Sequence, residues 1–174
     1  MTHALVPNMQ APNLDVSLVN GDTWKLSEIS PKSFTMVIFY RGLHCPICKM
    51  YLKKLNSMMD EITKLGFKVV AVSMDSLNRA QQSKSEWCLD KVDVAYGLDL
   101  DTAKQWGLYI SSSIKEAEYP IFCEPGLIWI RPDGKLYLID ISNMPWSRPD
   151  LELLMPKAKF AIENNYPSRG IIVY

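Results

Sequence analysis

The residues whose types and spacing could do chemistry lie in one segment, Phe39-Tyr40-Arg41-Gly42-Leu43-His44-Cys45-Pro46-Ile47-Cys48. A lone Cys-x-x-Cys pair points to redox or metal chemistry before structure. Pro46 follows Cys45 directly, and proline is favoured at the first helical position, so Cys45 is expected at the N-cap of a helix. There its sulfur faces orphan backbone N–H groups and the positive end of the helix dipole. Both favour thiolate over thiol, and the thiolate is the nucleophile. Cys48 follows one turn later, about 5 Å away on the same face. From there it can resolve a mixed disulfide or a sulfenic acid on Cys45 by closing an intramolecular disulfide. Arg41 and His44 before Cys45, and Lys49 one turn beyond it, add positive potential. The reading requires that both sulfurs reach solvent and face each other.

Competing chemistries constrain the pair. Zinc would need two further ligands, and Cys88, Cys123, His3 and His44 show no ligand spacing, so no metal site is expected. A c-type haem site needs a histidine after the second cysteine, whereas here His44 precedes the first. Two small buried hydrophobes at a helix start remain an alternative. Cys123 reads as a packed small residue, with a third thiol near the site as its functional alternative. Cys88, in Trp87-Cys88-Leu89, reads as core. His44 reads as a loop residue facing solvent, or as a group that tunes the thiolate. Glu124 reads as a capping or surface carboxylate, or as an acid assisting proton transfer.

Several elements must position this segment. Phe34 to Tyr40 is a nearly continuous apolar run, as in a strand covered on both faces. Pro46 to Leu65 reads as a helix with an apolar stripe of Ile47, Tyr51, Leu55, Met58, Ile62 and Leu65, ended by Gly66. Lys68 to Met74 is a second buried strand. Asp75 or Ser76 can cap a helix over Leu77 to Cys88. Val92 to Tyr96 is a third strand. Asp99 or Asp101 can cap a short helix through Trp106, closed by Gly107. Leu14 to Val19 and Thr23 to Leu26 form a hairpin about Asn20-Gly21. Leu127 to Ile130 and Lys135 to Ile139 form another about Arg131-Pro132-Asp133-Gly134. A last helix lies near Asp150 to Asn164, broken or kinked at Pro156. Helices alternating with buried strands argue an α/β sandwich with a partly parallel central sheet.

The 174 residues make one domain, with no linker, repeat or low-complexity segment, and the chain is long enough to bury roughly two-thirds of its unfolded surface. Nineteen basic residues balance nineteen acidic ones, which argues against a nucleic-acid partner. No apolar run approaches ~20 residues, so no membrane span is expected. Met1 to Pro7 carries no secretory pattern, so the expected compartment is the reducing cytoplasm.

Further segments join the cysteine motif: Ala11-Pro12-Asn13-Leu14, Gln105-Trp106-Gly107-Leu108-Tyr109-Ile110-Ser111, Phe122-Cys123-Glu124-Pro125-Gly126-Leu127, Arg148-Pro149 and Tyr166-Pro167-Ser168-Arg169-Gly170. With them the chain resembles the peroxiredoxin-like branch of the alkyl hydroperoxide reductase/thiol-specific antioxidant family. The resemblance implies a thioredoxin-like three-layer α/β sandwich whose central mixed sheet has helices on both faces. It implies a thiol peroxidase or disulfide oxidoreductase with no bound organic cofactor, and it leaves a homodimer open. The family pattern Pro-x-x-x-Thr/Ser-x-x-Cys sets Arg41 where proline stands, Cys45 where threonine stands, and Cys48 at the peroxide-reacting cysteine. The capping argument instead favours Cys45 as the attacking thiol. The family's peroxide-binding arginine opens a later strand, where this chain has Glu124-Pro125-Gly126. Arg41 and Arg148 are the candidate substitutes. Pro125 is the candidate for the fold's cis-proline.

The expected cycle is therefore attack by Cys45 on a peroxide or a disulfide, closure of a Cys45–Cys48 disulfide, and reduction by an external thioredoxin- or glutaredoxin-like dithiol. The alternatives are a disulfide reductase with little peroxidase activity, a redox-sensing binding module and a zinc-binding structural domain.

Overall fold

The apolar run after Ser33 forms β3 (Thr35–Phe39), buried at every position. Alternate side chains of a strand point to opposite faces, and the computed structural model, which describes residues 4–173, shows a core on each face. Met36 and Ile38 face one core, and Val37 and Phe39 face the other. Met1–His3 and Tyr174 lie outside the described residues, so the reading of His3 is not addressed.

β1 (Asp15–Leu18) and β2 (Thr23–Lys25) form the first hairpin. β4 (Lys68–Val72) and β5 (Asp93–Tyr96) lie parallel to β3. β6 (Ile110–Ser112) and β7 (Ile121–Cys123) form a separate two-stranded ribbon. β8 (Gly126–Ile130) and β9 (Leu136–Ile141) complete the main sheet as an antiparallel hairpin. The order is β2-β1-β5-β4-β3-β8-β9, a mixed sheet. Helices α1 (Pro46–Lys64), α2 (Leu77–Glu86) and α4 (Leu151–Glu163) contribute buried residues to one core, and α3 (Leu100–Gln105) to the other. The fold is the expected α/β sandwich with helices on both faces.

Four expectations need correction. The buried stripe of α1 is Cys48, Leu52, Leu55, Met59 and Ile62, whereas the sequence reading put Ile47, Tyr51 and Met58 on that face. Ile47 is exposed instead. The rotated stripe keeps an i, i+4, i+7, i+11 period and places Cys48 in the core-facing row. Cys88 is exposed rather than buried. It occupies the left-handed position that ends α2, with φ 55°, where Leu89 N–H donates to Lys84 O and Cys88 N–H to Ser85 O. That bond pair is the Schellman pattern, and it turns the side chain outward. Pro156 does not break α4, which runs through it. It lies near the helix start, where the residue it would bond, Glu152, belongs to the first turn. The ribbon β6–β7 was not anticipated, because three-residue strands carry too few alternations to read.

Candidate active site

The segment leaving β3 is shaped by a buried carboxylate. Asp75, fully buried after β4, accepts from Leu43 N–H at 2.8 Å and from Arg79 Nε at 2.9 Å. It lies so close to Gly42 that a Cβ there would sit 2.7 Å from Asp75 Oδ2, and Gly42 has φ +132°. Glycine alone tolerates both constraints. Cys45 N–H then donates to Gly42 O, closing the turn that delivers Cys45 to α1.

Cys45 is the N-cap of α1, and its Sγ accepts from Cys48 N–H at 3.1 Å with Pro46 in the first turn. The Arg148 contact nevertheless falls on Cys48, while the Arg41 guanidinium interacts with Cys45. Arg148 Nη2 donates to Cys48 Sγ at 3.1 Å. Burial opposes the Cys48 thiolate, but the Cys45 thiol, the Arg148 charge and the Arg41 backbone N–H outweigh it and pull the group down to about 6. Cys45 moves the other way: its hydrogen bond to Cys48, its burial and the Cys48 charge all push it up. The two sulfurs thus share one negative charge, which rests on Cys48. The sequence reading placed it on Cys45 by counting the helix terminus; of its two candidate arginines, Arg148 is the one whose guanidinium reaches the Cys48 sulfur. Both cysteines have 0% exposure, against the expectation that they reach solvent.

Arg41 does not contact Cys48 through its side chain. Its Nε lies 3.0 Å from Glu124 Oε2 and its Nη2 3.8 Å from Glu118 Oε1. Glu124 Oε1 accepts from Ser111 Oγ at 2.7 Å, and Glu118 Oε2 accepts from Ile114 N–H at 2.8 Å. Glu124 is buried, not a surface carboxylate. The ribbon β6–β7 therefore braces the loop through Arg41. The guanidinium lies 4.8 Å from the centre of the Phe122 ring, which also meets His44 edge-on at 4.7 Å. His44 does not face solvent: it is half-buried, and neither ring nitrogen has a partner among the described residues. Burial first, and then Arg41, lower its pKa and keep the imidazole neutral. Lys49 is exposed on α1.

Pro125 is buried between β7 and β8, and the register Phe39↔Gly126 sets it level with Tyr40. Its peptide bond is not cis, since no cis bond occurs among the described residues. Its carbonyl accepts from Ser142 N–H and anchors the start of the segment leading to Arg148. Cys123 is buried, with its thiol donating to Tyr40 O at 3.5 Å, and burial pushes its pKa up. Among the described residues no cluster of three or more His, Cys, Asp or Glu side chains is placed to hold a metal ion, and no helix is long and apolar enough to cross a membrane.

Three positioning residues escaped the sequence reading: Glu118, Asp75 in its role under the loop, and Tyr51. Tyr51, assigned to the stripe, carries the Arg148 guanidinium 4.7 Å from its ring centre. Its place one turn after Cys48 was the available signal.

The sequence profile of the AhpC/TSA family matches residues 7–139. The chain is 27% identical over 158 residues to the 1-Cys peroxiredoxin PER1 of Arabidopsis thaliana; the match covers 90% of this chain and 61% of that protein's length. Among solved structures, the fold is similar to a peroxiredoxin-like protein from Aquifex aeolicus, with a TM-score of 0.74, 19% identity, and coverage of 91% of this chain and 88% of that one. It is also similar to the peroxiredoxin 6 of Arenicola marina, with a TM-score of 0.78, 15% identity, and coverage of 94% and 76% respectively.

Proposed function

The chain belongs to the AhpC/TSA family, and from that premise we propose that it is a thiol peroxidase in which Cys48 attacks the peroxide and Cys45 resolves the product. The similarity to a 1-Cys peroxiredoxin and to peroxiredoxin structures supports a thiol peroxidase or a thiol–disulfide oxidoreductase. The observation that carries the choice of sulfur is the 3.1 Å contact from Arg148 Nη2 to Cys48 Sγ.

The Cys48 thiolate attacks one oxygen of ROOH. The O–O bond breaks, the sulfur is oxidised to the sulfenic acid, and the other oxygen leaves as an alcohol or water after taking a proton. The thiolate charge then disappears from Cys48, and with it the repulsion that holds Cys45 protonated. Cys45, still capped by Cys48 N–H at 3.1 Å, can now ionise. Its sulfur attacks the sulfenic sulfur, expels water and closes the disulfide. An external thioredoxin- or glutaredoxin-like dithiol returns the pair to the reduced state by two exchanges and is itself oxidised to a disulfide. Such dithiols are held reduced in the cytoplasm, the compartment proposed for this cycle.

Burial separates peroxidase from disulfide reductase. Both sulfurs have 0% exposure, so the solvent access required above is not met at rest, and the proposal needs an opening just wide enough for a small hydroperoxide. A protein disulfide brings backbone with it and needs the first turn of α1 to unwind. Peroxide is therefore the preferred oxidant, and the mobile dithiol acts after oxidation.

Single-turnover reaction with hydrogen peroxide tests the assignment. Cys48→Ser is expected to abolish it. Cys45→Ser should consume one equivalent, accumulate a trappable sulfenic acid and then stop. Full first-turnover activity in Cys48→Ser would overturn the proposal.

A further inference from the structure

We propose that Tyr51 is the positioning residue that holds Arg148 on Cys48, through one contact with the guanidinium and another with the backbone that carries it. The assignment deepens the peroxidase reading and rests on it for its catalytic consequence.

Arg148 reaches the site from the segment between β9 and α4. That segment is tied at its start, where Ser142 N–H donates to Pro125 O and Ser142 Oγ to Ser147 O, each at 2.9 Å. It is tied at its end by Asp150, which caps α4 by accepting from Glu152 N–H at 2.8 Å. Between these anchors the guanidinium has little of its own to hold it. Nε and Nη1 are shielded from solvent with no hydrogen-bond partner among the described residues, and only Nη2 is used, on Cys48 Sγ.

Tyr51 supplies what the carboxylates do not. Its ring lies 4.7 Å from Arg148 Cζ, within cation–π range. Its hydroxyl donates to Pro149 O at 2.8 Å, fixing the backbone next to Arg148. Burial pushes the phenol's pKa up, so it remains a donor. One side chain therefore holds both the guanidinium and its attachment point. It stands three residues after Cys48 on α1, so the thiolate and the clamp on its counter-charge move as one rigid unit. An aromatic face suits this place better than a carboxylate. A carboxylate would draw the guanidinium away from sulfur and add a negative charge beside the thiolate, whereas the ring attracts the cation and leaves the sulfur as its sole anionic partner.

The test reads the Cys48 titration by ultraviolet thiolate absorbance, taking each protein against its own Cys48→Ser counterpart. Tyr51→Leu is expected to raise the midpoint by about one pH unit, the scale of a desolvated cation–π contact. Tyr51→Phe keeps the ring and should raise it less, while speeding amide exchange around Ser147–Asp150. Arg148→Met combined with Tyr51→Leu should titrate like Arg148→Met alone, because the ring acts only through the guanidinium. A midpoint unchanged in Tyr51→Leu, or additive shifts in the double variant, would overturn the proposal. Should Tyr51→Leu fail to fold, Tyr51→Phe decides: an unchanged midpoint with unchanged exchange overturns it. Shifts of the expected order in a protein inert toward peroxide would sustain the clamp and sink the peroxidase reading. Peroxide turnover that Tyr51 substitutions leave intact, at an unshifted midpoint, would do the reverse.

Discussion

Replacing Arg148 with methionine isolates what the guanidinium does. Cys48 is drawn down from 9.0 to about 6 against its own burial. That is roughly 4 kcal/mol of preference for the thiolate at about 1.4 kcal/mol per unit. The Cys45 thiol is the larger of the favourable contributions and the Arg148 charge the next. Without the charge, burial regains ground and the midpoint should rise, by about two units on the scale of one opposite charge close by. At pH 7 the thiolate then falls from roughly nine-tenths of the protein to a tenth or less. A more basic thiolate is a better nucleophile by about threefold per unit, for a Brønsted coefficient of about 0.4–0.5, so the two effects partly offset. For a rise of two units, ionisation alone costs about tenfold at pH 7, and the gain in nucleophilicity of about six- to tenfold leaves a net loss of peroxide rate below about twofold. Stopped-flow rates across pH separate this from a second role. If Arg148 only sets ionisation, the variant's rate climbs with pH and its alkaline plateau exceeds that of the parent. If the unused Nε–H and Nη1–H also receive the departing oxygen, the plateau stays below it, on the scale of a lost oxyanion donor, about 10²–10³-fold. An unshifted Cys48 titration together with a superimposable pH–rate profile would refute the assignment of the resting charge to Cys48.

Two further outcomes follow from the same geometry. Cys48 titrates lower folded than unfolded, so it contributes stability that is fully present above the unfolded thiol's pKa near 9 and is lost as pH falls through about 6. Urea midpoints of the reduced protein should therefore rise between pH 6 and pH 9, by up to about 4 kcal/mol, and a slope that survives in Cys48→Ser would contradict this. Gly42→Ala should destabilise by about 1–3 kcal/mol, because its methyl would meet Asp75 at 2.7 Å at φ +132° and break the Asp75 bond to Leu43 N–H. Denaturation and peroxide rates check it, and an unchanged stability would mean the carboxylate does not shape the loop.

The parts legible from sequence were those specified by local pattern. Continuous apolar runs announced β3 and β4, Asn20-Gly21 and Pro132-Asp133-Gly134 announced the hairpins, and Cys45-Pro46 announced an N-cap that the structure contains. Distant partners were not legible from spacing: Arg148, a candidate only through the family resemblance, lies 100 residues from Cys48, and Glu124 is remote from Arg41 in sequence although its Oε2 lies 3.0 Å from Arg41 Nε. The placement of the charge on Cys48 and not on Cys45 has the same origin. A helix terminus can be counted from Pro46, but the guanidinium that outweighs it belongs to a segment whose path depends on the whole sheet. The stripe of α1 was out of phase because Ile47 and Tyr51 are apolar enough to pass as core. Tyr51 is amphipathic: its ring carries a cation and its hydroxyl finds a carbonyl. Hydrophobic periodicity cannot distinguish that role from packing.

The burial of both sulfurs and their single shared charge bear on the order of events in the cycle. In the reduced protein the Cys48 thiolate is the only anionic partner that Arg148 has among the described residues, and Arg148 in turn covers it. This closed arrangement suits a reaction with a diffusible oxidant of a few atoms and resists a bulky one. Oxidation to the sulfenic acid or the disulfide removes the negative charge from Cys48. The guanidinium is then left with a ring at 4.7 Å and no counter-ion, and a half-buried cation without a partner favours solvent. If Cys48 is oxidised as proposed, the segment between Ser142 and Asp150 should be held less tightly in the oxidised protein than in the reduced one. In the proposed cycle, the bulky reducing dithiol would act at that stage and not before. In that proposed cycle, one ion pair between a sulfur and an arginine would give each half-reaction the degree of access it needs, with the inferred Tyr51 clamp setting how firmly the reduced state is closed.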